Sequence, residues 1–332
     1  MKTNRFTIIT MLSVLTLGVV TSCVKDNDDL YSKNGTIFIP VPGSESNGNA
    51  KSEEADNSWS SDPIAHGLEV PALQKGDGIY FIHHEARLSN EGSQRANNFS
   101  LEWDVNAYHS RWVAFTFNKD NNASRISRTN AWAEEPDLPQ DARLAVTSYT
   151  GSGYTRGHIC ASADRLNSTE ANQQTFYMSN MTPQLYDYNG GYWAVLEAII
   201  QSWGRSTKYE TVYVCKGGTI LPNQLRGSFA TYNAAGHRVS VSVPRYNFMA
   251  ILARTTGGSY QAIGFWIEHK NYVDESNMNY SSDNRAPSSL MTNHAVSIDK
   301  LEELTGINFF CNLNDDVETA VESSFSLSAW NW

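Results

Sequence analysis

The run Ser152-Gly153-Tyr154-Thr155-Arg156-Gly157-His158-Ile159-Cys160-Ala161-Ser162-Ala163-Asp164-Arg165, followed by Phe176-Tyr177-Met178-Ser179-Asn180-Met181-Thr182-Pro183-Gln184 and then by Asn189 and Glu197, is the densest chemistry in the chain. His158 stands among Gly153, Gly157 and small residues that let a polymer approach closely, and imidazole changes protonation near neutral pH. From Asn189 to Trp203, the residues Trp193, Leu196, Ile200 and Trp203 fall at helical spacing. Asn189, Trp193 and Glu197 then lie at i, i+4 and i+8, along one slowly drifting stripe. Glu197 is expected on the buried face beside Trp193 and Ile200, where a carboxylate is costly unless something pairs with it. A hydrated ion or a nearby arginine would answer that cost, and magnesium suits because it gives up water reluctantly and takes few protein ligands.

Around this stretch, strands and helices intermix from Pro63 onward without an internal repeat. Ile79 to Ile82 and Trp112 to Phe117 are apolar enough for buried strands, Tyr209 to Cys215 follows, and Val239, Val241 and Val243 alternate with Ser240 and Ser242. Phe248 to Ala253 and Tyr260 to Ile267 flank Thr255-Thr256-Gly257-Gly258 as a hairpin. Asn167-Ser168-Thr169-Glu170 has the pattern of a capping box opening a helix through Thr175, and Ser297 to Leu304, stopped by Gly306, reads as another helix. The mixture predicts an α+β domain on a central, mainly antiparallel sheet flanked by helices.

Composition limits the alternatives. In 332 residues, 40% hydrophobic, 11% aromatic and 18% charged side chains can build a large core, which excludes wholesale disorder and a fibrous repeat. The only apolar run of membrane interest is at the start, so a multi-span protein is excluded too. A net charge of -10 argues against holding nucleic acid by bulk electrostatics and leaves room for a local basic cleft.

Residues 1-22 read as a signal peptide, with Lys2 and Arg5, an apolar stretch from Phe6 to Val20, and small residues before Cys23. The pattern resembles a bacterial lipoprotein signal, in which Cys23 is lipidated and anchors the chain to a membrane; an ordinary cleaved signal is the alternative. A spanning helix is disfavoured, since crossing a bilayer takes about 20 apolar residues. Both surviving readings place the mature protein outside the cytoplasm, the lipidated one at the outer membrane or cell surface. Residues 23-62 read as a flexible tether, with eight acidic residues against three lysines. Its cluster Asp26, Asp28 and Asp29 looks like the export signals of some surface lipoproteins. The leader carries +2 and the tether -5, so -7 belongs to the domain at 63-332.

Other motif-like strings carry nothing. His84-Glu85 lacks the second histidine of HExxH, because Leu88 stands there. Gly151-Ser152-Gly153-Tyr154 fits neither a phosphate loop nor a dinucleotide fingerprint. Adjacent His83 and His84 would point to opposite faces of a strand and not share a metal. Besides Cys23 there are Cys160, Cys215 and Cys311, enough for one disulfide at most and with no zinc-like spacing.

Together the segments quoted at the outset resemble the DNA/RNA non-specific endonuclease family, His-Me finger (ββα-metal) nucleases that include secreted bacterial nucleases and mitochondrial endonuclease G. The family's short signature reads DRGH; here Thr155 to His158 read TRGH. The likeness extends to Ser179-Asn180, to Thr182-Pro183-Gln184, to the Asn eight residues before Glu, to Trp112-Val113-Ala114 and to the segment from Leu304 to Phe310, so it covers most of 63-332. It implies hydrolysis of phosphodiester bonds in DNA and RNA with little sequence preference, leaving 5'-phosphate ends. His158 would be the general base, Asn189 the direct ligand of Mg2+ (with Mn2+ as an alternative), and Glu197 the group that acts on the metal through water. Asn180 would sit beside the active centre, and Arg128 would stabilise charge on the phosphate. Arg156, within the signature, would serve catalysis or form a structural salt bridge.

Two departures stand out. Thr155 replaces the signature Asp, and Gln201 stands four beyond Glu197, where relatives commonly have an arginine that Arg205 could replace one turn later. Base and metal ligand survive, so an active enzyme is expected; a catalytically weakened surface lipoprotein that binds nucleic acid is the alternative. Acidity overall implies modest affinity and marked salt sensitivity. Tyr154, Tyr186 and Tyr192 are expected to pack rather than to contact substrate.

Overall fold

The computed structural model describes residues 56–272, 292–330 and 332. Its centre is a seven-stranded sheet of β1 (Ile79–Arg87), β2 (Arg95–Asp104), β3 (His109–Asn118), β6 (Tyr209–Gly218), β9 (Tyr246–Thr255), β10 (Tyr260–Glu268) and β11 (Ala295–Val296), paired in that order and antiparallel throughout. Both faces are covered, which explains the nearly continuous apolar runs of the inner strands. Val113, Phe115 and Phe117 of β3 enter one core while Trp112 and Ala114 enter the other; on β9, Met249 and Ile251 oppose Phe248, Ala250 and Leu252. The fold class read from the sequence is thus the observed one.

The first core is roofed by α3 (Ala194–Gly204), whose Leu196, Ile199, Ile200 and Trp203 lie on the sheet. Close approach at its end requires a glycine, because a Cβ on Gly204 would collide with the ring of Phe117. The second core is closed by α4 (Ile298–Thr305) through Leu301 and by Phe309 and Phe310 beyond it. Ser297 caps α4 by accepting the Lys300 N–H at 3.2 Å, and Gly306, at φ 68°, ends it in the left-handed region.

Two small ladders stand beside the main sheet. β4 (Thr155–His158) pairs with β5 (Met181–Gln184), and β7 (Leu225–Tyr232) pairs with β8 (Arg238–Pro244), all antiparallel. The hairpin expected around Thr255 to Gly258 joins β9 to β10.

Local differences from the sequence reading have identifiable causes. The helix expected from Asn167 is α1 (Thr169–Gln174), capped by Ser168 rather than by Asn167. Glu170 does not close a capping box, since its carboxylate is drawn instead to Arg87 and Arg95 on the β1–β2 hairpin. The helix expected over Asn189 to Trp203 is broken into α2 (Tyr186–Tyr188), a wide π turn at Asn189–Trp193 and then α3. The folded body also reaches back into the stretch read as tether: Asn57, Ser60 and Asp62 are buried, and the Asn57 amide donates to the carbonyls of Ala65 and Pro71. Cys160, Cys215 and Cys311 are buried free thiols. Among the described residues no helix is long and apolar enough to cross a membrane; the leader and Cys23 lie outside them.

Candidate active site

The ladder of β4 and β5 sets His158 opposite Met181 and Thr155 opposite Gln184. Gly157 leaves room for the Gln184 side-chain amide, which a Cβ there would force to shift. His158 is buried, with its ring edge-on to Phe176 at 4.9 Å and 5.4 Å from Trp132. Its Nε2 has no hydrogen-bond partner, yet the residue lines an open cleft of about 680 Å³ together with Arg128, Trp132, Arg156, Asn189 and Glu197. Burial, and then the charges of Arg128, Lys216 and Arg156, hold the imidazole down to about 3, so it is neutral and its lone pair is available. A bound phosphate would offset those cationic contributions and make the ring a stronger base.

Across the cleft, the Thr155 hydroxyl donates to the Gln184 carbonyl at 3.0 Å and accepts from Asn189 Nδ2 at 3.1 Å. That contact uses the Asn189 amide nitrogen and leaves its Oδ1 over as an acceptor. Glu197 has its ion pair on Oε1, 3.3 Å from Lys216 Nζ, and Lys216 is 3.0 Å from Asp164 Oδ2. Burial drives the Glu197 carboxyl upward against the pull of Lys216, and Asp164 adds to the rise. Of the three groups, Glu197 is the member that reaches the cleft.

Both arginines of the cleft are held by neutral partners. Arg156 lies over the Trp132 indole at 3.6 Å and has no carboxylate partner among the described residues, so the salt-bridge reading of it is not what the structure shows. Arg128 lies over Phe176 at 4.7 Å and donates from Nε to Asn130 Oδ1 at 2.7 Å. Their charges are therefore available to a phosphate.

With this geometry in hand, comparison is informative. Residues 81–316 match the model of the family described as DNA/RNA non-specific endonuclease. The chain belongs to the DNA/RNA non-specific endonuclease family. It is 28% identical over 232 residues to the mitochondrial nuclease EXOG of Mus musculus, a match covering 68% of this chain and 59% of that protein, so it spans less than two thirds of the relative's own length. To nuclease C1 of Cunninghamella echinulata var. echinulata it is 32% identical over 189 residues, covering 56% of this chain and 68% of the relative. A nuclease of Nostoc sp. is 30% identical over 231 residues, covering 68% of this chain and 76% of the relative. A chain in the crystal structure of the EndoG/EndoGI complex superposes with a TM-score of 0.51 at 22% identity, over 66% of this chain and 85% of that chain, which shows a shared fold.

Within this endonuclease fold, His158, Arg128, Arg156, Asn189 and Glu197 line one cleft, as the family resemblance implied. Asn180 does not. It is fully buried, its Oδ1 accepting the Cys160 N–H and its Nδ2 donating to the carbonyls of Cys160 and Thr175, each at 2.8 Å, so it positions the chain after His158 from behind. The single stripe expected for Asn189, Trp193 and Glu197 is also corrected. The π turn takes up an extra residue, so Trp193 enters the core while the two polar side chains face the cleft. Arg205 does not replace the arginine missing at Gln201: it donates to the carbonyls of Ala163 and Asn122. Gln201 donates to Asp164 Oδ1 at 2.9 Å.

Lys216 and Trp132 were missed as site residues. A lone lysine closing the apolar run from Val212 to Cys215 was the available signal for the first; nothing marked the second. Of the tyrosines, Tyr192 is core and bonds His294, Tyr154 stacks on Phe229, and Tyr186 is 79% exposed, against expectation. Away from the cleft, His83 and His84 do diverge, to Asp62 and to Glu135 with Asp137 respectively. His84, Glu135 and Asp137 bring potential ligand atoms within 4.8 Å of one another, but Glu135 also accepts from Ser179, and the acids pair with the imidazole itself. Burial would lower the His84 imidazole, but the neighbouring acids prevail and raise it.

Two outcomes follow from the site. In the metal-free protein, NMR titration of the His158 ring should show the neutral form down to about pH 4, since its folded value lies near 3; a midpoint near 6.5 would contradict this environment. The unfolded chain takes up that proton near pH 6.5, so the neutral imidazole's stabilising contribution is complete above pH 6.5 and is lost as pH falls toward 3. Thr155→Val keeps the shape but frees the Asn189 amide, and should weaken Mn2+ binding, measured calorimetrically, by about 10-fold to 100-fold.

Proposed function

We propose that this protein is a metal-dependent endonuclease that hydrolyses phosphodiester bonds in DNA and RNA with little sequence preference, leaving 5'-phosphate ends. One observation carries the reading: a neutral, unpartnered imidazole, two guanidiniums held only by neutral partners, and an amide oxygen next to an ionisable carboxylate converge on one open cleft. Each is a part that phosphodiester hydrolysis needs, and nuclease relatives share the chain that presents them.

In this reading the His158 imidazole accepts the proton of the attacking water through Nδ1, since Nε2 is enclosed, its ring kept upright by Phe176 and Trp132. Arg156 and Arg128 donate to the phosphoryl oxygens as negative charge builds there. The oxygens left at Asn189 and Glu197 fit a hard divalent cation, with Asn189 as the direct ligand and Glu197 acting through water. Magnesium, or manganese in its stead, would supply positive charge to the leaving oxygen. Thr155, in place of the signature Asp, holds the amide of Asn189; this favours an active enzyme over a weakened binding protein.

The anchored location is part of the same proposal. Support comes from the leader pattern ending at Cys23 and from the acidic stretch after it, which together suit a lipoprotein held at the outer membrane or cell surface. In an acidic protein, attraction to nucleic acid would be confined to the cleft.

The purified protein should degrade plasmid DNA and RNA with Mg2+ or Mn2+, stop on addition of EDTA, and lose about 100-fold to 10,000-fold of its rate in His158→Ala. Degradation that persists in EDTA and in His158→Ala would refute the assignment; binding without degradation would point to the weakened binding protein.

A further inference from the structure

Lys216 is the least accountable charge in the molecule. It sits on β6, the middle strand of the sheet, 1% exposed, opposite Val113 on one side and Met249 on the other. A buried ion pair seldom adds net stability over apolar residues of similar size, so stability alone does not explain a lysine there. What the lysine touches does.

Its ammonium reaches Asp164 Oδ2 at 3.0 Å and Glu197 Oε1 at 3.3 Å. Asp164 closes the short turn Ser162–Asp164 that follows the His158 strand, and its acceptors are fully engaged. Oδ2 also receives the Ala161 N–H at 2.8 Å, and Oδ1 receives Gln201 Nε2 at 2.9 Å. Ala161 and Ser162 line the same cleft as His158. Glu197 is on α3, the helix continuous with the turn that carries Asn189. The ammonium thus joins the two halves of the cleft, the half holding the imidazole and the half holding the proposed cation ligands, to the rigid centre of the sheet.

We infer that Lys216 is a positioning residue for the reaction: it sets the rotamer and placement of Glu197 relative to His158, and Asp164 fixes Lys216 in turn. The inference rests on the nuclease reading above. Lys216 never meets the substrate. Removing it leaves the imidazole and the arginines where they are but lets Glu197 drift from the water it orients, so turnover and cation binding suffer while DNA binding does not.

The test compares wild type, Lys216→Met, Lys216→Arg and His158→Ala, all in the full chain. The readouts are kcat and KM on DNA, Mn2+ affinity without nucleic acid, and thermal melting. Lys216→Met should lower kcat by about 10-fold to 100-fold and weaken Mn2+ binding by a similar factor, with KM for DNA within about twofold. Lys216→Arg, which keeps the charge, should recover most of the loss. A folded Lys216→Met with kcat and Mn2+ affinity within about twofold of wild type, beside an inactive His158→Ala, overturns the inference and leaves the nuclease reading intact. An active His158→Ala overturns the nuclease reading itself. If Lys216→Met does not fold, the double variant Asp164→Asn, Lys216→Met, which removes both opposite charges, is measured instead, and full activity there overturns the inference.

Discussion

Everything in the cleft depends on the four-residue ladder between β4 and β5. Its register places His158 beside Met181 and Thr155 beside Gln184, so one short strand presents the imidazole at one end and, through the Thr155 hydroxyl, steers the Asn189 amide at the other. Such a ladder is too short to be stable alone. It is held by what surrounds it: the Asn180 amide, just before β5, bonds the backbone of Cys160, just beyond β4, Gly157 lets Gln184 pass over it, and Phe176 and Trp132 confine the ring. Small changes in those supports would displace the imidazole and the Asn189 amide.

Charge is arranged with equal economy. The chain as a whole is acidic at -10, which repels a polyanion at long range. Within the cleft, Arg128 and Arg156 rest on aromatic faces and neither makes an ion pair at contact distance, so two positive charges face the cleft, the first of them tempered by Glu197. Carboxylates that could have quenched them are engaged elsewhere: Glu197 and Asp164 with Lys216, Glu135 with His84. Burial first, and then the positive charges around it, keep the His158 ring neutral.

Much of this was legible in the sequence and some was not, for physical reasons. The inner strands β3, β6, β9 and β10 announced themselves because burial on both faces leaves their centres almost wholly apolar, whereas β2, with Arg95, Asn97, Asn98, Ser100, Glu102 and Asp104 among its ten residues, did not. The cluster of His158, Asn189 and Glu197 was legible through the resemblance of the segments that carry them to the endonuclease family, and all three line the cleft. The π turn was not, because Gly190 and Gly191 permit it without demanding it, and that turn decides which of Asn189, Trp193 and Glu197 faces solvent. Lys216 escaped because its partners lie 19 and 52 residues away, joined only by the fold. Asn180 was read as a group beside the chemistry when its amide is spent on backbone carbonyls and an N–H, a distinction that residue type alone does not carry. The capping box failed likewise, since Glu170 found arginines across the sheet that were closer than its own helix start.

The most direct test of the account is the position of Mn2+ in crystals of the protein, located by its anomalous scattering. The expected result is one strong peak in the cleft, on Asn189 Oδ1 and within a water's reach of Glu197. A peak at His84, Glu135 and Asp137 with none beside Asn189 would contradict it.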